Sequence, residues 1–320
     1  MILNQGKIYL FLAFSLAGTS VIAARLVSDH IGPFTITALS LLLGLLILVP
    51  LYRIRLIAAI KRMTFTDWKM VVLQAFFGIF LFRALLLAGL HGTSAGEAGL
   101  LTGAAPAITA LMAWLFLRER LTVGILAGTL FTVTGILLIQ WSPSSGYLFL
   151  SGHLGGNLLV LGAAASESLF NTLSRAGSRD QTRRDSSVDP IVQTTLVTIA
   201  AFVFAVIPAF MEHPLSGLSD LGLTGWLSLL WYGWVVTVLA FICWYAGIKR
   251  TSTYTAAAYS GMMPLTSMLL SLGLLNESVS YAQAVGGLAV ILGMWFIGRQ
   301  PGKNASRGLE ESADRYREAV

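Results

Sequence analysis

The 320-residue chain is 56% hydrophobic and only 11% charged, with a mean hydropathy of +0.76, whereas soluble chains carry roughly 25% charged residues. This excludes a soluble domain and marks an integral membrane protein. The net charge of +6 does not indicate nucleic-acid binding, because the basic residues outside the apolar runs all fall in short connecting loops or at the termini, where membrane topology puts them.

Apolar runs long enough to cross a bilayer lie at about 8–27, 33–51, 70–90, 95–117, 121–141, 155–173, 190–210, 223–247, 254–275 and 279–298, which predicts ten helices. The first run follows Lys7 and is long enough to span rather than to serve as a cleaved address. With the N-terminus in the cytoplasm, 19 of the 21 Lys and Arg fall on the inner side. The outer loops, around 28–32, 91–94, 142–154, 211–222 and 276–278, contain none of them and hold all four histidines. Both termini are therefore expected to be cytoplasmic. Ser142-Pro143-Ser144-Ser145-Gly146 reads as a breaker-rich outer turn. Ser174 to Asp189 mixes four arginines with Asp180, Asp185 and Asp189, shows no apolar face, and reads as a solvated cytoplasmic loop. The tail from Arg299 reads as a mobile cytoplasmic end.

A constant shift of 158 residues sets Phe80–Ile139 on Val238–Ile297 without a gap. Identities recur throughout, including Ala88/Ala246, Gly89/Gly247, Thr93/Thr251, Pro106/Pro264, Glu119/Glu277, Gly128/Gly286 and Gly135/Gly293. The flanking charge is opposite: Arg118-Glu119-Arg120 becomes Asn276-Glu277-Ser278, while His91-Gly92 becomes Lys249-Arg250. If basic residues stay cytoplasmic, the two copies cross the membrane in opposite directions. The predicted fold is an all-α membrane protein of ten transmembrane helices in two inverted five-helix repeats, residues 1–141 and 155–298, joined by an external loop 142–154 and followed by a tail 299–320. Inverted repeats of this kind build alternating-access carriers, with the substrate site between the halves near the midplane.

Charges inside the apolar runs each cost at least about 2.5–3.5 kcal/mol at a helix centre unless paired or hydrated. Arg83 lies in the third run, and its repeat mate is Phe241; Glu167 lies near the middle of the sixth, with Asn171 one turn on. Glu97 begins the fourth run at its outer end, and Arg25 ends the first and is read as snorkelling to the headgroups. Two readings of Arg83 stand together: an ion pair with Glu167 or Glu97 that stitches helices, or a cavity position where Arg83 takes a carboxylate and Glu167 an ammonium or a coupled proton. Trp234 and Tyr259 sit deep enough to line such a cavity. Pro106 and Pro264 are candidate helix kinks at symmetric positions. Glu119 and Glu277 read as helix-end groups beside water. Gly128 and Gly135, like Gly286 and Gly293, share one helical face; close helix packing is the first reading of it, and a homodimer interface the second.

The stretch Thr93-Ser94-Ala95-Gly96-Glu97-Ala98, then Pro106, Leu117-Arg118-Glu119-Arg120-Leu121-Thr122, Gly128 and Gly135, resembles the EamA-type repeat of the drug/metabolite transporter superfamily. Thr251-Ser252, Pro264 and Leu275-Asn276-Glu277 repeat it. The resemblance implies ten helices in two inverted repeats and a carrier, in many members an exporter of amino acids or other small metabolites. It does not name the cargo. Such proteins often carry an arginine in the outer half of the second helix, where Ala38-Leu39-Ser40-Leu41 offers only Ser40.

Enzyme readings fail: no Walker loop occurs, the histidines lack metal spacing, no Ser-His-acid set can be assembled, and Cys243 is the single cysteine. No cofactor and no metal are expected. The sequence reads as a secondary active transporter of the inner or plasma membrane, a proton-coupled exporter or exchanger of small metabolites such as amino acids. Its substrate groups would be Arg83, Glu167, Asn171, Trp234 and Tyr259, and its coupling carboxylates Glu167 and Glu97. The alternatives are an exporter of organic cations anchored on Glu167 and a non-transporting scaffold or sensor. Expected partners are a small-molecule metabolite and the lipid bilayer.

Overall fold

A computed structural model of the chain describes residues 2–20, 23, 26–27, 31–90, 92, 102, 104–119, 121–140, 154–183, 188–212, 218, 221–263, 265–266, 269–270 and 280–298. Among them the secondary structure is helical. The first copy supplies α1 (Ile2–Gly18), α2 (Pro33–Ile60), α3 (65–90), α4 (Ala105–Leu117) and α5 (Val123–Gln140). The second supplies α6 (Leu154–Arg183), α7 (Pro190–Met211), α8 (Leu223–Ile248), α9 (Thr253–Tyr259) and α10 (Tyr281–Gly298). Four stretches, Pro33–Ile60, Phe65–Leu86, Pro190–Met211 and Leu223–Ile248, are long and apolar enough to cross a membrane. Ala105–Leu117, Val123–Leu138 and Tyr281–Ile297 are shorter apolar helices.

The helix starts follow local chemistry. α2 opens with Pro33 at its first turn, where a missing N–H costs nothing, and the Glu212 carboxylate accepts from the free amides of Phe34 at 3.1 Å and Thr35 at 2.8 Å. Thr64 and Asp67 form a capping box at the start of α3. Asp189 accepts from Ile191 N at 2.8 Å to open α7. Thr122 before α5 and its repeat mate Ser280 before α10 accept from Ile125 N and Gln283 N at 3.3 and 3.2 Å, so one cap serves both copies. α4 ends where Arg118 turns left-handed at φ 50°.

The copies meet element against equivalent element. α2 packs on α7, α5 on α10, and α4 on α9, while α3 packs on α6 as α8 packs on α1. Glycines permit the closest approaches. A Cβ on Gly135 would lie 2.6 Å from Gly286 O, and one on Gly128 would lie 2.8 Å from Gly293 O. Residue numbers thus rise along α5 as they fall along α10: these two equivalent helices run antiparallel, backbone to backbone. Gly89 of α3 abuts Gly156 of α6, and its mate Gly247 of α8 abuts Gly6 of α1. The glycine face is therefore used for helix packing inside the chain.

Both α3 and α8 contain a π-helical segment, Phe76–Leu81 and Tyr232–Leu239. The repeat shift carries 76–81 onto 234–239, so the two irregularities are equivalent, and such segments concentrate at functional sites. Composition does not announce them.

Two expectations are corrected. Ser174 to Asp189 does not form a solvated loop throughout, because α6 continues to Arg183 and buries Ser174, Arg175, Ser178 and Gln181. Those positions recur at helical spacing, and two of them find partners beyond α6: Arg175 Nη1 donates to Ile248 O and Gln181 Oε1 accepts from Val188 N. Glu119 is not beside water either: it is 9% exposed.

Candidate substrate site

Glu167 projects from the inward side of α6. Val160, Ala163, Ala164, Phe170, Asn171 and Ser174 lie within about 60° of it around the helix, at 100° per residue, and all are buried. The partly exposed side chains of Ala165, Leu169 and Ala176 mark the opposite face. Glu167 itself is half-buried. Asn171 is 3% exposed and one turn away on the same side. Among the described residues neither side chain has a hydrogen-bond or ion-pair partner. A carboxylate and a carboxamide directed inward without partners leave hydrogen-bonding capacity unused inside the bundle.

Arg83 follows the π segment of α3. Its Nη1 donates to Thr37 Oγ1 of α2 at 2.7 Å, and its guanidinium carbon stands 5.0 Å from the centre of the Tyr232 ring, the first residue of the π segment of α8. Hydroxyl and aromatic face together fix the orientation of the planar fork. One of five N–H donors is used in this way; among the described residues, Arg83 has no carboxylate partner. The ion pair with Glu167 does not form. The reason is depth: Thr37 lies about 6 Å below the start of α2, whereas Glu167 lies roughly 20 Å down α6, at 1.5 Å per residue. The guanidinium reaches outward. Beside it, Phe76 and Phe80 of α3 pack with Phe204 of α7, with Phe80–Phe204 centroids at 5.7 Å, and Phe34 of α2 lies 6.2 Å from Phe80.

The remaining sequence candidates divide. Tyr259 ends α9, half-buried against the main core, and its hydroxyl has no partner among the described residues. Trp234 is 43% exposed, in line with the exposed Leu223, Leu227 and Trp231, and its Nε1 donates to Leu43 O at 3.2 Å. That position suits a ring facing lipid. Pro106 lies in the first turn of α4, where its missing N–H is tolerated. Glu97, Pro264, Glu277 and Arg25 lie outside the described residues. Sequence reasoning missed Thr37 and Tyr232, whose ordinary polar and aromatic character inside apolar runs gives no signal until α2 and α8 are packed beside Arg83.

At the end expected to face the cytoplasm, a buried polar seam joins the copies. Glu119 Oε1 accepts from Arg179 Nη2 at 2.5 Å and Thr253 Oγ1 at 3.3 Å, with Arg175 Nε 3.9 Å away. Arg175 Nη1 donates to Ile248 O at 2.8 Å, Arg179 Nη1 to Leu117 O at 3.3 Å, and Tyr254 OH to Glu119 O at 2.9 Å. Beyond α8, Lys249 Nζ donates to Val188 O. Burial lowers the pKa of that ammonium below the usual lysine value, opposed by Asp189 and reinforced by Arg250.

The model of the EamA-like transporter family matches residues 4–141 and again 154–299, the two copies. This chain belongs to the EamA-like transporter family. Among relatives of this EamA-like protein, an uncharacterized transporter YetK of Bacillus subtilis is 26% identical over 285 residues, covering 89% of this chain and 84% of that one. A probable amino-acid metabolite efflux pump of Salmonella typhimurium is 27% identical over 221 residues, 68% of this chain and 72% of that one. A solved structure described as "Crystal structure of protein" superposes with a TM-score of 0.75 over 92% of this chain and 96% of its own, at 22% identity, a likeness of fold. Family and apolar helices together make the chain a multi-pass membrane transporter.

Proposed function

We propose that this EamA-like transporter is a proton-coupled secondary carrier of the inner or plasma membrane that exports or exchanges small zwitterionic metabolites such as amino acids. It crosses the bilayer ten times in two inverted five-helix repeats, with both termini cytoplasmic. The antiparallel packing of equivalent helices α5 and α10 supports the inverted arrangement, and the basic loops support the orientation. The observation that carries the substrate class is the separation of Arg83 from Glu167. Neither has a countercharge among the described residues: Arg83 is held by Thr37 and Tyr232, and Glu167 lies beside Asn171. A zwitterion satisfies both in turn: its carboxylate meets the fork of Arg83, and its ammonium reaches Glu167 as the substrate moves deeper along the bundle, because an α-amino acid is too short to bridge roughly 14 Å at once. The name of the Salmonella relative agrees with that class.

Coupling follows from the same carboxylate. A proton and a substrate ammonium compete for Glu167, so loading one releases the other and antiport needs no second site. An organic cation would use Glu167 and leave Arg83 idle, which the fixed guanidinium disfavours. The decisive experiment is uptake of labelled amino acids into vesicles containing the purified chain, with and without a pH gradient. Gradient-driven accumulation of an amino acid is expected. Accumulation of organic cations alone, or no transport of any solute, overturns the reading.

A further inference from the structure

The hairpin between α2 and α3, residues 51–69, is not accounted for by transport. α2 has 28 residues, about 42 Å at 1.5 Å per residue, against a hydrocarbon core of about 30 Å. Starting from Pro33, the helix therefore leaves the hydrocarbon near Tyr52, and everything from Arg53 to Lys69 stands at headgroup depth or beyond. Only a few side chains tie this part to the bundle: Leu56 is buried, and Ala59 and Met63 lean on the same core. The rest of the hairpin carries two kinds of exposed side chain that oppose each other in water. Ile54 is 77% exposed and Phe65 86%, with Leu51, Ile57 and Trp68 exposed beside them. Interleaved are Arg53, Arg55, Lys61, Arg62 and Lys69, all exposed.

The ionic state of these five is the second observation. Among the described residues Arg55 has one carboxylate, Asp189 at 3.4 Å, and both side chains are well exposed, so that pair is weak. Arg53, Lys61, Arg62 and Lys69 have no carboxylate partner among the described residues. Asp67, the acid inside the hairpin, is buried and occupied by the amide and hydroxyl of Thr64 at 2.9 and 2.7 Å, where it fixes the turn. Basic groups without partners, at headgroup depth, beside apolar side chains that must leave water, match a surface of anionic headgroups over acyl chains.

We propose that the hairpin 51–69 is a lipid anchor that binds anionic phospholipid, with the side chains of Ile54, Ile57 and Phe65 turned down toward the acyl chains and Arg53, Lys61, Arg62 and Lys69 on the phosphates. A zwitterionic lipid supplies the same phosphate but cancels its charge with choline, so anionic lipid is preferred. The hairpin leads into α3, which carries Arg83, so headgroup binding also fixes the base of that helix.

Cys243 is buried, so single cysteines at Ile54 and Phe65 can be labelled selectively. In nanodiscs of phosphatidylcholine with phosphatidylglycerol, labels at both sites are expected to be quenched by lipids carrying a shallow acyl-chain quencher and protected from a water-soluble one. In parallel, native mass spectrometry of the detergent-extracted parent should retain phosphatidylglycerol about tenfold over phosphatidylcholine, and Arg53→Gln/Lys61→Gln/Arg62→Gln/Lys69→Gln should lose that preference. The preference should also weaken when extraction is done at ~1 M salt, where the Debye length falls to about 3 Å. Equal retention of both lipids by the parent overturns the proposal. So does free access of the water-soluble quencher, or protection that appears only when another protein copurifies. If the fourfold variant does not insert, the depth measurement on the singly labelled chain still decides the matter.

Discussion

Among the described residues, Glu119 and Arg179 form the closest charged contact between the two copies, Oε1 to Nη2 at 2.5 Å, and neither side chain is fully exposed. Glu119 is placed there by the left-handed turn at Arg118, and Arg179 by the extension of α6 past the end of its apolar run. Thr253 and Tyr254 of α9 close on the same residue, so α4, α6 and α9 are fastened at one point. A carrier that opens at this end must part these elements.

Glu119→Gln keeps shape and hydrogen-bonding capacity but removes the charge that Arg175 and Arg179 face. We expect the variant to unfold more readily in detergent by roughly 2–3 kcal/mol, below the full cost of breaking a buried pair because Arg179 is partly exposed. The thermal midpoint followed by tryptophan fluorescence checks this, and an unchanged midpoint would show that the seam is not a fastening.

Arg83→Lys preserves charge and loses the fork, so transport of a zwitterionic substrate should weaken roughly 10- to 100-fold in apparent affinity, the loss of a charged hydrogen bond or two. Arg83→Ala should abolish it while the protein still reaches the membrane. Thr37→Val, which removes the acceptor that holds Nη1, should give a smaller loss in the same direction. Parent-like transport by Arg83→Ala ends the assignment.

Glu167→Gln is always neutral, so it should lose proton-driven accumulation yet retain exchange of labelled for unlabelled substrate, now insensitive to pH. Vesicles tested at several pH values distinguish the two modes. If the variant keeps the parent's pH profile, coupling lies elsewhere, with Glu97 the next carboxylate to replace.

Gly135→Val should be among the most destabilising single changes in the membrane region, because its Cβ would meet Gly286 O at 2.6 Å and Val290 N at 2.7 Å, both backbone atoms that cannot turn away. Overpacking of this kind costs about 1–3 kcal/mol or more, and the yield of folded protein after detergent extraction should fall accordingly. Gly155→Val, which meets nothing within 4 Å, is the control.

A last expectation concerns orientation. Cysteines at Ser144 and Ser216 should react with an impermeant thiol reagent added outside intact cells, and one at Ser187 should not, since the loops expected outside contain no Lys or Arg. Labelling at Ser187 from outside would reverse the topology.

The membrane class, the two copies and the glycines that would let helices touch were legible from the chain alone. Bilayer solvation acts on composition residue by residue, and a gapless repeat is a property of order, not of shape. Arg83, Glu167 and Asn171 stood out for the same reason, as polar groups in an apolar run. Their relations did not. Whether Arg83 meets Glu167 or Thr37 depends on side-chain depth and on which helix packs beside which, and the sequence, which placed both residues near the middle of their runs, allowed either. Only packing set the Tyr232 ring against the guanidinium, continued α6 into a buried polar face, and took Glu119 out of water. A charge at a helix end reads as solvated until another segment covers it, and that covering is a tertiary event, set by α9 and α6 arriving from the other copy.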